Sequence, residues 1–203
     1  MLTSVLGWVA ALLAASVALP QVIRLLRTRA TAGISVLAWR LTFAANVAWT
    51  LHGILTGHTN IVLPNLIFGL FSTVILVVLG RARELKLVPL IAPSLLLAVA
   101  TVGLNVWLGP VAFAIAAGLP SVLAQLMQFH ELVIAPRITG VSIPFLVLNV
   151  VNQSCWVSWA LLADEVSVIL CGSTLGTLMA LNLTWAVLRR SGLVRARLSV
   201  MWA

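Results

Sequence analysis

Seven long apolar stretches follow one another along the chain, separated by short polar segments. They run over residues 2–26, 34–55, 61–79, 87–108, 111–129, 141–163 and 166–188. A membrane-spanning α-helix needs about 20 apolar residues to cross the hydrocarbon core of a bilayer, and each stretch is close to that length. The pattern predicts an all-α integral membrane protein with seven transmembrane helices.

Composition leads to the same class of protein. Of the 203 residues, 62% are hydrophobic and only 8% are charged, and the mean hydropathy is +1.17. Such a chain has too little polar surface to cover a soluble globule. We therefore expect a polytopic membrane protein.

The positive charges predict how the chain is oriented. None precedes the first apolar stretch, so we interpret that stretch as a spanning helix with its N-terminus outside and not as a cleavable signal peptide. The twelve Lys and Arg residues then all fall on the inner side: Arg24, Arg27, Arg29, Arg40, Arg81, Arg83, Lys86, Arg137, Arg189, Arg190, Arg195 and Arg197. The outer loops contain His58, Asp164 and Glu165. This positive-inside pattern predicts a protein of the cell (plasma) membrane with a cytoplasmic C-terminus.

The net charge of +8 indicates lipid and not nucleic acid as the partner of these basic residues. They lie in short loops at the ends of apolar helices, where they meet the anionic inner leaflet. No soluble domain is present to form a groove for nucleic acid.

The chain contains an internal duplication. Ser35, Trp49 and Gly69 recur as Ser142, Trp156 and Gly176 at a constant separation of 107 positions. The predicted domains are a first three-helix repeat, a linker helix, a second three-helix repeat and a basic cytoplasmic tail, over residues 1–80, 81–109, 110–190 and 191–203. The single linker helix inverts the chain, so the two repeats cross the membrane in parallel. In transporters built this way the substrate site lies between the halves, near the midplane.

Several residues of the first repeat stand at recognisable spacing. They are Pro20-Gln21, the basic turn at Arg27 and Arg29, Ile34-Ser35, Trp49 with Gly53 four residues later, and Asn65 sixteen residues after Trp49. This set resembles the PQ-loop (MtN3-like) superfamily and, within it, the SWEET and SemiSWEET sugar transporters. The resemblance covers nearly the whole chain and is strongest in the first repeat. It implies the two-repeat form, in which two three-helix units are fused through one helix.

The resemblance also implies which residues bind substrate. In the family a Trp on the second helix and an Asn on the third helix of each unit face a central pocket. The corresponding residues are Trp49 and Asn65 in the first repeat, and Trp156 and Gly172 in the second. An indole packs against the C–H face of a sugar, and an amide offers a donor and an acceptor to hydroxyls. Because Gly172 and the following Ser173 replace the second Asn, we expect an asymmetric pocket with one amide and one hydroxyl.

Two further polar positions are candidates for the same pocket. Asn46 lies three residues before Trp49, on about the same helix face, and it aligns with Gln153 of the second repeat. A polar side chain within a membrane helix must pair or line a cavity. Pocket lining and hydrogen bonding between helices are the two readings.

Hinge and gate residues are implied in the same way. Pro20, followed by Gln21, and Pro120 and Pro144 each interrupt a helix hydrogen bond and permit a bend, although membrane helices also tolerate proline without such a role. His52 and its counterpart Trp159 stand near the outer gate of the family, and an interfacial anchor is the alternative.

An enzyme is not expected, and no cofactor or metal is implied. The chain has no HExxH or GxSxG motif and no paired carboxylates on one helix face. His52, His58 and His130 lie on different loops or membrane faces, so they do not form a metal-ligand cluster.

The predicted function is facilitated diffusion of mono- or disaccharides by alternating access, which makes the protein a uniporter. The four acidic residues lie near the ends of the apolar stretches, so the usual carboxylate of a proton relay is missing. A transporter of amino acids or another small polar metabolite is one alternative. A non-transporting PQ-loop sorting receptor is another, although charged pocket residues would be expected there. Two repeats in one chain can form a complete pathway, and a homo-oligomer remains compatible with the sequence.

Overall fold

The fold consists of α-helices connected by short turns and loops. A computed structural model describes residues 2–28, 35–139 and 141–194, and this part of the chain contains seven α-helices and no strand. The helices are α1 (Leu2–Thr28), α2 (Val36–Thr56), α3 (Thr59–Ala82), α4 (Leu87–Leu108), α5 (Pro110–Ile134), α6 (Ile143–Ala163) and α7 (Val166–Arg190). The predicted all-α fold with seven helices is confirmed. Of the predicted tail, residues 195–203 lie outside the described part.

Five of the described helices, α3 to α7, are long and apolar enough to cross a membrane, and Leu2–Ala14 of α1 is a shorter apolar helical segment. The remaining helix, α2, has a sufficient length of 21 residues. It also carries Arg40, Asn46 and His52, which lower its mean hydropathy. The polar side chains predicted for the pocket and gate of the first repeat are thus the reason that α2 is less apolar than α3 and α4.

A serine fixes the start of the second helix in each repeat. The Oγ of Ser35 accepts a hydrogen bond from the Ala38 N–H at 3.2 Å, and the Oγ of Ser142 accepts one from the Phe145 N–H at 3.4 Å. A serine N-cap satisfies one of the free N–H groups of the first helical turn. The sequence-based starts at residues 34 and 141 were therefore two residues too early, because each serine precedes its helix.

The chain divides within α5 into two compact units, Met1–Ala117 and Gly118–Ala203. In the first unit, α3 packs against α1 and α2, and α4 packs against α2 and α3. Leu90 of α4 is buried together with Phe43 of α2 and Leu76 of α3. The predicted linker helix thus packs with α2 and α3 of the same unit.

In the second unit, α7 packs against both α5 and α6. Leu132, Leu146 and Ala186, from α5, α6 and α7, form a buried apolar cluster. Asn182 of α7 is fully buried, and its Nδ2 donates to the main-chain oxygen and the side-chain Oε1 of Gln125, at 3.1 and 2.9 Å. This polar contact fixes the position of α7 along α5.

Gly53 allows α2 and α3 to approach closely. A Cβ atom at this position would lie 3.0 Å from both Cβ and Cγ2 of Ile61. Real Cβ contacts are rarely so short, and atoms near the backbone of α3 cannot move without moving the helix. The small residue is thus required by the packing.

We expect Gly53→Ala to lower the free energy of unfolding by about 1–3 kcal/mol, the usual effect of overpacking a well-packed contact. Gly103→Ala is the matched control, because a Cβ at Gly103 in α4 would meet no atom within 4 Å. That change should be neutral or stabilising by up to about 1 kcal/mol through helix propensity. The free energy of unfolding of each variant is measured by denaturant titration in detergent micelles, with circular dichroism as the signal. Equal stability of the two variants would contradict the close contact.

Candidate functional site

Trp49 and Asn65 lie at the same level of the α2–α3 pair. The two helices are antiparallel, and Gly53 of α2 packs on Ile61 of α3. Trp49 stands four residues before Gly53, and Asn65 stands four residues after Ile61. Because both helices rise by about 1.5 Å per residue, these equal steps bring Trp49 and Asn65 to one height. The structure therefore places the two residues predicted for the first half of the pocket side by side along the helix axes.

The amides of Asn46 and Asn65 both bond to their own helix. The Nδ2 of Asn46 donates to Thr42 O, and the Nδ2 of Asn65 donates to Ile61 O, each at 2.8 Å. Such bonds to the carbonyl four residues earlier fix the side chain against its helix. Within the part of the chain that the structure describes, no other hydrogen bond engages either amide. Both side chains thus retain an acceptor oxygen and one N–H for a ligand.

Among the residues that the structure describes, Asn46 forms no hydrogen bond to another helix, which was one reading of its role. It lies opposite Gly69 of α3, where a Cβ would be 3.9 Å from its own Cβ. That distance is ordinary van der Waals contact, so Gly69 leaves room for the Asn46 side chain. Pocket lining by Asn46 stays a prediction.

An aromatic cluster holds the Trp49 side chain. The Trp49 ring makes edge-on contacts with His52 and Phe113, at centroid distances of 5.5 and 4.9 Å. The His52 and Phe113 rings stack at 4.3 Å with an angle of 13° between their planes. Edge-on and stacked pairs are the favoured arrangements of aromatic rings. Trp49 is half-buried, so part of its indole stays accessible.

His52 is buried between α2, α4 and α5, with 1% of its surface exposed. A hydrogen bond of 3.2 Å joins its Nδ1 to Nδ2 of Asn105 in α4. This bond holds the imidazole of His52 against α4. A side chain that is almost fully buried does not fit the role of an interfacial anchor. The role of His52 in the outer gate stays a prediction.

The second unit contains a similar tryptophan. Trp156 of α6 is half-buried and makes an edge-on contact with Trp159, at 5.7 Å and 87°. Trp159, the predicted counterpart of His52, is 2% exposed. In both units, therefore, the residue three positions after the tryptophan predicted for the pocket is buried and contacts its ring.

Gln153 occupies the space beside Gly172. A Cβ at Gly172 would lie 3.0 Å from Cγ2 of Val157 and 3.6 Å from Oε1 of Gln153. Trp156 precedes Val157 by one residue and Ser173 follows Gly172 by one, so Trp156 is level with Ser173 in this antiparallel pair. The side-chain amide of Gln153 thus reaches the space beside Gly172, where the resemblance described above implies an asparagine.

The other predicted site residues lie at different places. Ser173 is exposed on α7, and Pro120 is half-buried inside α5. Pro144 is in the first turn of α6, where its missing N–H would have no partner within the helix. The expected loss of a helix hydrogen bond therefore does not occur at Pro144. The backbone of Pro20 and Gln21 belongs to α1, and their side chains lie outside the described residues.

The acidic residues stand at helix ends. Glu84 lies between α3 and α4, Glu131 in the last turn of α5, and Asp164 and Glu165 between α6 and α7. Among the described residues, no three His, Cys, Asp or Glu side chains are grouped so that they could hold a metal ion.

Sequence reasoning missed Asn105, Phe113, Gln125 and Asn182. Asn105 supports His52, Phe113 supports Trp49, and Gln125 pairs with Asn182. Asn105 and Asn182 are polar residues within apolar helices, and that contrast alone marks each as a group with a specific partner. Phe113 gives no such signal, because a Phe in an apolar helix is ordinary.

Comparison with known proteins identifies the kind of unit that these helices form. The PQ loop repeat family model matches residues 2–62. The "Sugar transporter SemiSWEET" of Leptospira biflexa serovar Patoc is 37% identical over 73 residues, which are 36% of this chain and 86% of that protein. The match thus covers most of a complete relative. The chain belongs to the SWEET/SemiSWEET family of PQ-loop membrane proteins.

Proposed function

We propose that the protein is a transporter that carries small sugars across the membrane by facilitated diffusion. One observation carries the proposal: in each unit a half-buried tryptophan lies on one helix of an antiparallel pair, with a side-chain amide on the partner helix at the same height or on its own helix one turn away. The pairs are Trp49 with Asn65 and Trp156 with Gln153. The similar protein from Leptospira biflexa, named a sugar transporter, supports the sugar as substrate class.

The two groups suit a sugar because they complement its two surfaces. An indole face packs on the apolar C–H face of a pyranose or furanose ring. An amide offers both a donor and an acceptor to the hydroxyls at the ring edge. The free carbonyl oxygen and N–H of Asn65 supply these groups in the first unit.

The second amide comes from α6 in this chain. Oε1 of Gln153 lies 3.6 Å from the site of a Cβ on Gly172. The sequence alone suggested a pocket with one amide and a hydroxyl from Ser173. We propose instead that Gln153 restores the second amide from the neighbouring helix. The pocket would then be chemically similar in its two halves although the residues differ.

We further propose that transport is not coupled to protons. All four acidic residues stand at helix ends, and membrane carboxylates are the usual proton carriers in transporters. His52 is engaged by Asn105 and Phe113, which favours a supporting role for its ring. The two three-helix repeats would alternate access to the pocket, in the cell membrane and with the N-terminus outside, as the distribution of the twelve positive residues favours.

Uptake by proteoliposomes tests the proposal. The purified protein is reconstituted, and uptake of labelled glucose and labelled sucrose is followed with and without an imposed pH gradient. We expect saturable uptake of at least one sugar at a rate that the gradient does not change. Protein-free liposomes give the leak rate.

The other outcomes would change either the proposed mechanism or the proposed function. Uptake that follows the gradient would overturn the uncoupled mechanism. No sugar uptake, together with uptake of labelled amino acids, would indicate a transporter of another small polar metabolite. Absence of uptake for all of these solutes would favour a sorting receptor.

A further inference from the structure

A cavity of about 340 Å³ lies in the second unit, where the loop between α5 and α6 meets the last turn of α7. It is lined by Pro136, Arg137, Ile138, Thr139, Arg189 and Arg190. Three of these six residues are arginines and none is acidic. The lining therefore combines a concentrated positive charge with two apolar side chains.

Arg189 is fixed by the fold. Its Nη1 donates to Leu132 O and Ala135 O, at 2.8 and 2.7 Å, and its Nη2 donates to Pro136 O at 3.3 Å. These carbonyls lie at the C-terminal end of α5, where backbone acceptors lack helical partners and a cation is favoured. Arg189 thus holds the end of α5 against α7 and sets a fixed charge at the wall of the cavity.

Arg137 and Arg190 are exposed and retain donors. The guanidinium of Arg190 donates to the main-chain oxygen of Val141. Within the described part of the chain, Arg137 makes no hydrogen bond and no ion pair. The two guanidinium groups can therefore offer N–H donors to a bound anion.

We propose that this cavity binds the phosphate of an anionic phospholipid. Guanidinium groups bind phosphate oxygens through paired N–H donors, and three cations in one cavity repel each other until an anion is bound. The cavity lies at the ends of α5 and α7, where apolar helix gives way to polar loop and where lipid headgroups are found. Ile138 and Pro136 offer an apolar wall to the glycerol and upper acyl carbons. The proposal depends on membrane insertion and not on the proposed transport.

A bound headgroup would also link two elements. Arg137 belongs to the loop that leads into α6, and Arg190 is the last residue of α7. A phosphate held by both would tie the start of α6 to the end of α7. The site therefore couples lipid binding to the packing of this helix pair.

Retention of lipid by the full chain tests the site. The protein is equilibrated in mixed micelles that contain phosphatidylglycerol or phosphatidylcholine, and bound lipid is counted by native mass spectrometry. We expect the wild type to retain phosphatidylglycerol in preference to phosphatidylcholine. Arg137→Gln should weaken this retention about five-fold, the usual effect of losing one cation at an anionic lipid surface. Arg190→Gln should act in the same direction.

Arg81→Gln is the matched control, because Arg81 is an exposed arginine in the last turn of α3 and does not line the cavity. It should retain phosphatidylglycerol like the wild type. Arg137 makes no contact that the fold requires, and circular dichroism checks that its variant is folded. Equal retention by Arg137→Gln and the wild type would overturn the proposal. Displacement of the lipid by an equal concentration of inorganic phosphate would also overturn it, in favour of a soluble phosphate compound.

Discussion

Replacement of Asn65 by alanine should lower sugar uptake about ten-fold or more while the protein remains folded and inserted. Within the described ranges the Asn65 amide makes a single hydrogen bond, to Ile61 O of its own helix, and this bond does not join two helices. Loss of one or two hydrogen bonds to a sugar removes about 1–2 kcal/mol, and each 1.4 kcal/mol corresponds to ten-fold. Initial rates of uptake into proteoliposomes at equal protein density measure the effect.

Thr73→Val is the matched control for this variant. Thr73 lies on the same helix, about two turns further along, and its Oγ1 donates to Gly69 O at 2.9 Å. The control thus removes a local side-chain bond of the same kind without touching the predicted pocket. It should transport like the wild type. Unchanged transport by Asn65→Ala would contradict the assignment of Asn65 to the site, even if sugar transport itself were established.

A comparable loss is expected when Gln153 is replaced by alanine. If Gln153 supplies the second amide, its removal takes away hydrogen bonds of the same number and strength as those of Asn65, and uptake should again fall about ten-fold. Ser154→Ala is the control, because the adjacent Ser154 is exposed and its hydroxyl donates to Val150 O of its own helix, at 2.9 Å.

A stronger test places the second amide on α7 instead of α6. Gly172→Asn alone should lower both stability and transport, because the new Cβ would meet Val157 Cγ2 at 3.0 Å and the amide would compete with Gln153 for space. The double variant Gln153→Ala with Gly172→Asn frees that space and should recover most of the uptake. A double variant that is less active than both single variants would show that Gln153 does not replace the missing asparagine.

Much of the fold could be predicted because it depends on local patterns. Seven apolar stretches of membrane-spanning length indicate seven helices, and the repeated Ser35 and Ser142 mark the start of the second helix in each repeat. That Trp49 and Asn65 lie at the same height along α2 and α3 also follows from the sequence, since a short turn between antiparallel helices fixes which residues lie side by side.

The contacts between helices could not be predicted in the same way. A comparison of repeats assigns Gly172 to the place of an asparagine and finds no amide, because it compares positions along one helix. Alignment with Asn46 already made Gln153 a candidate for the pocket, but the approach of its Oε1 to Gly172 on the neighbouring helix is seen only when the α6–α7 packing is known. The pairing of Asn182 with Gln125 could not be predicted from the sequence either, because 57 positions separate the two residues and no helical period relates them.

The packing of α4 changes how independent the first repeat can be. Leu90 covers Phe43 and Leu76, and Ala98 is buried with Ala48, while Asn105 holds His52 behind Trp49. A fragment that ended near residue 80 would lose all of these partners and would present a bare apolar face together with an unsupported imidazole. A fragment that ended at residue 117 would keep them. We therefore expect the first three helices to depend on α4 for a stable fold, so that the smallest stable fragment of the first unit has four helices and not three.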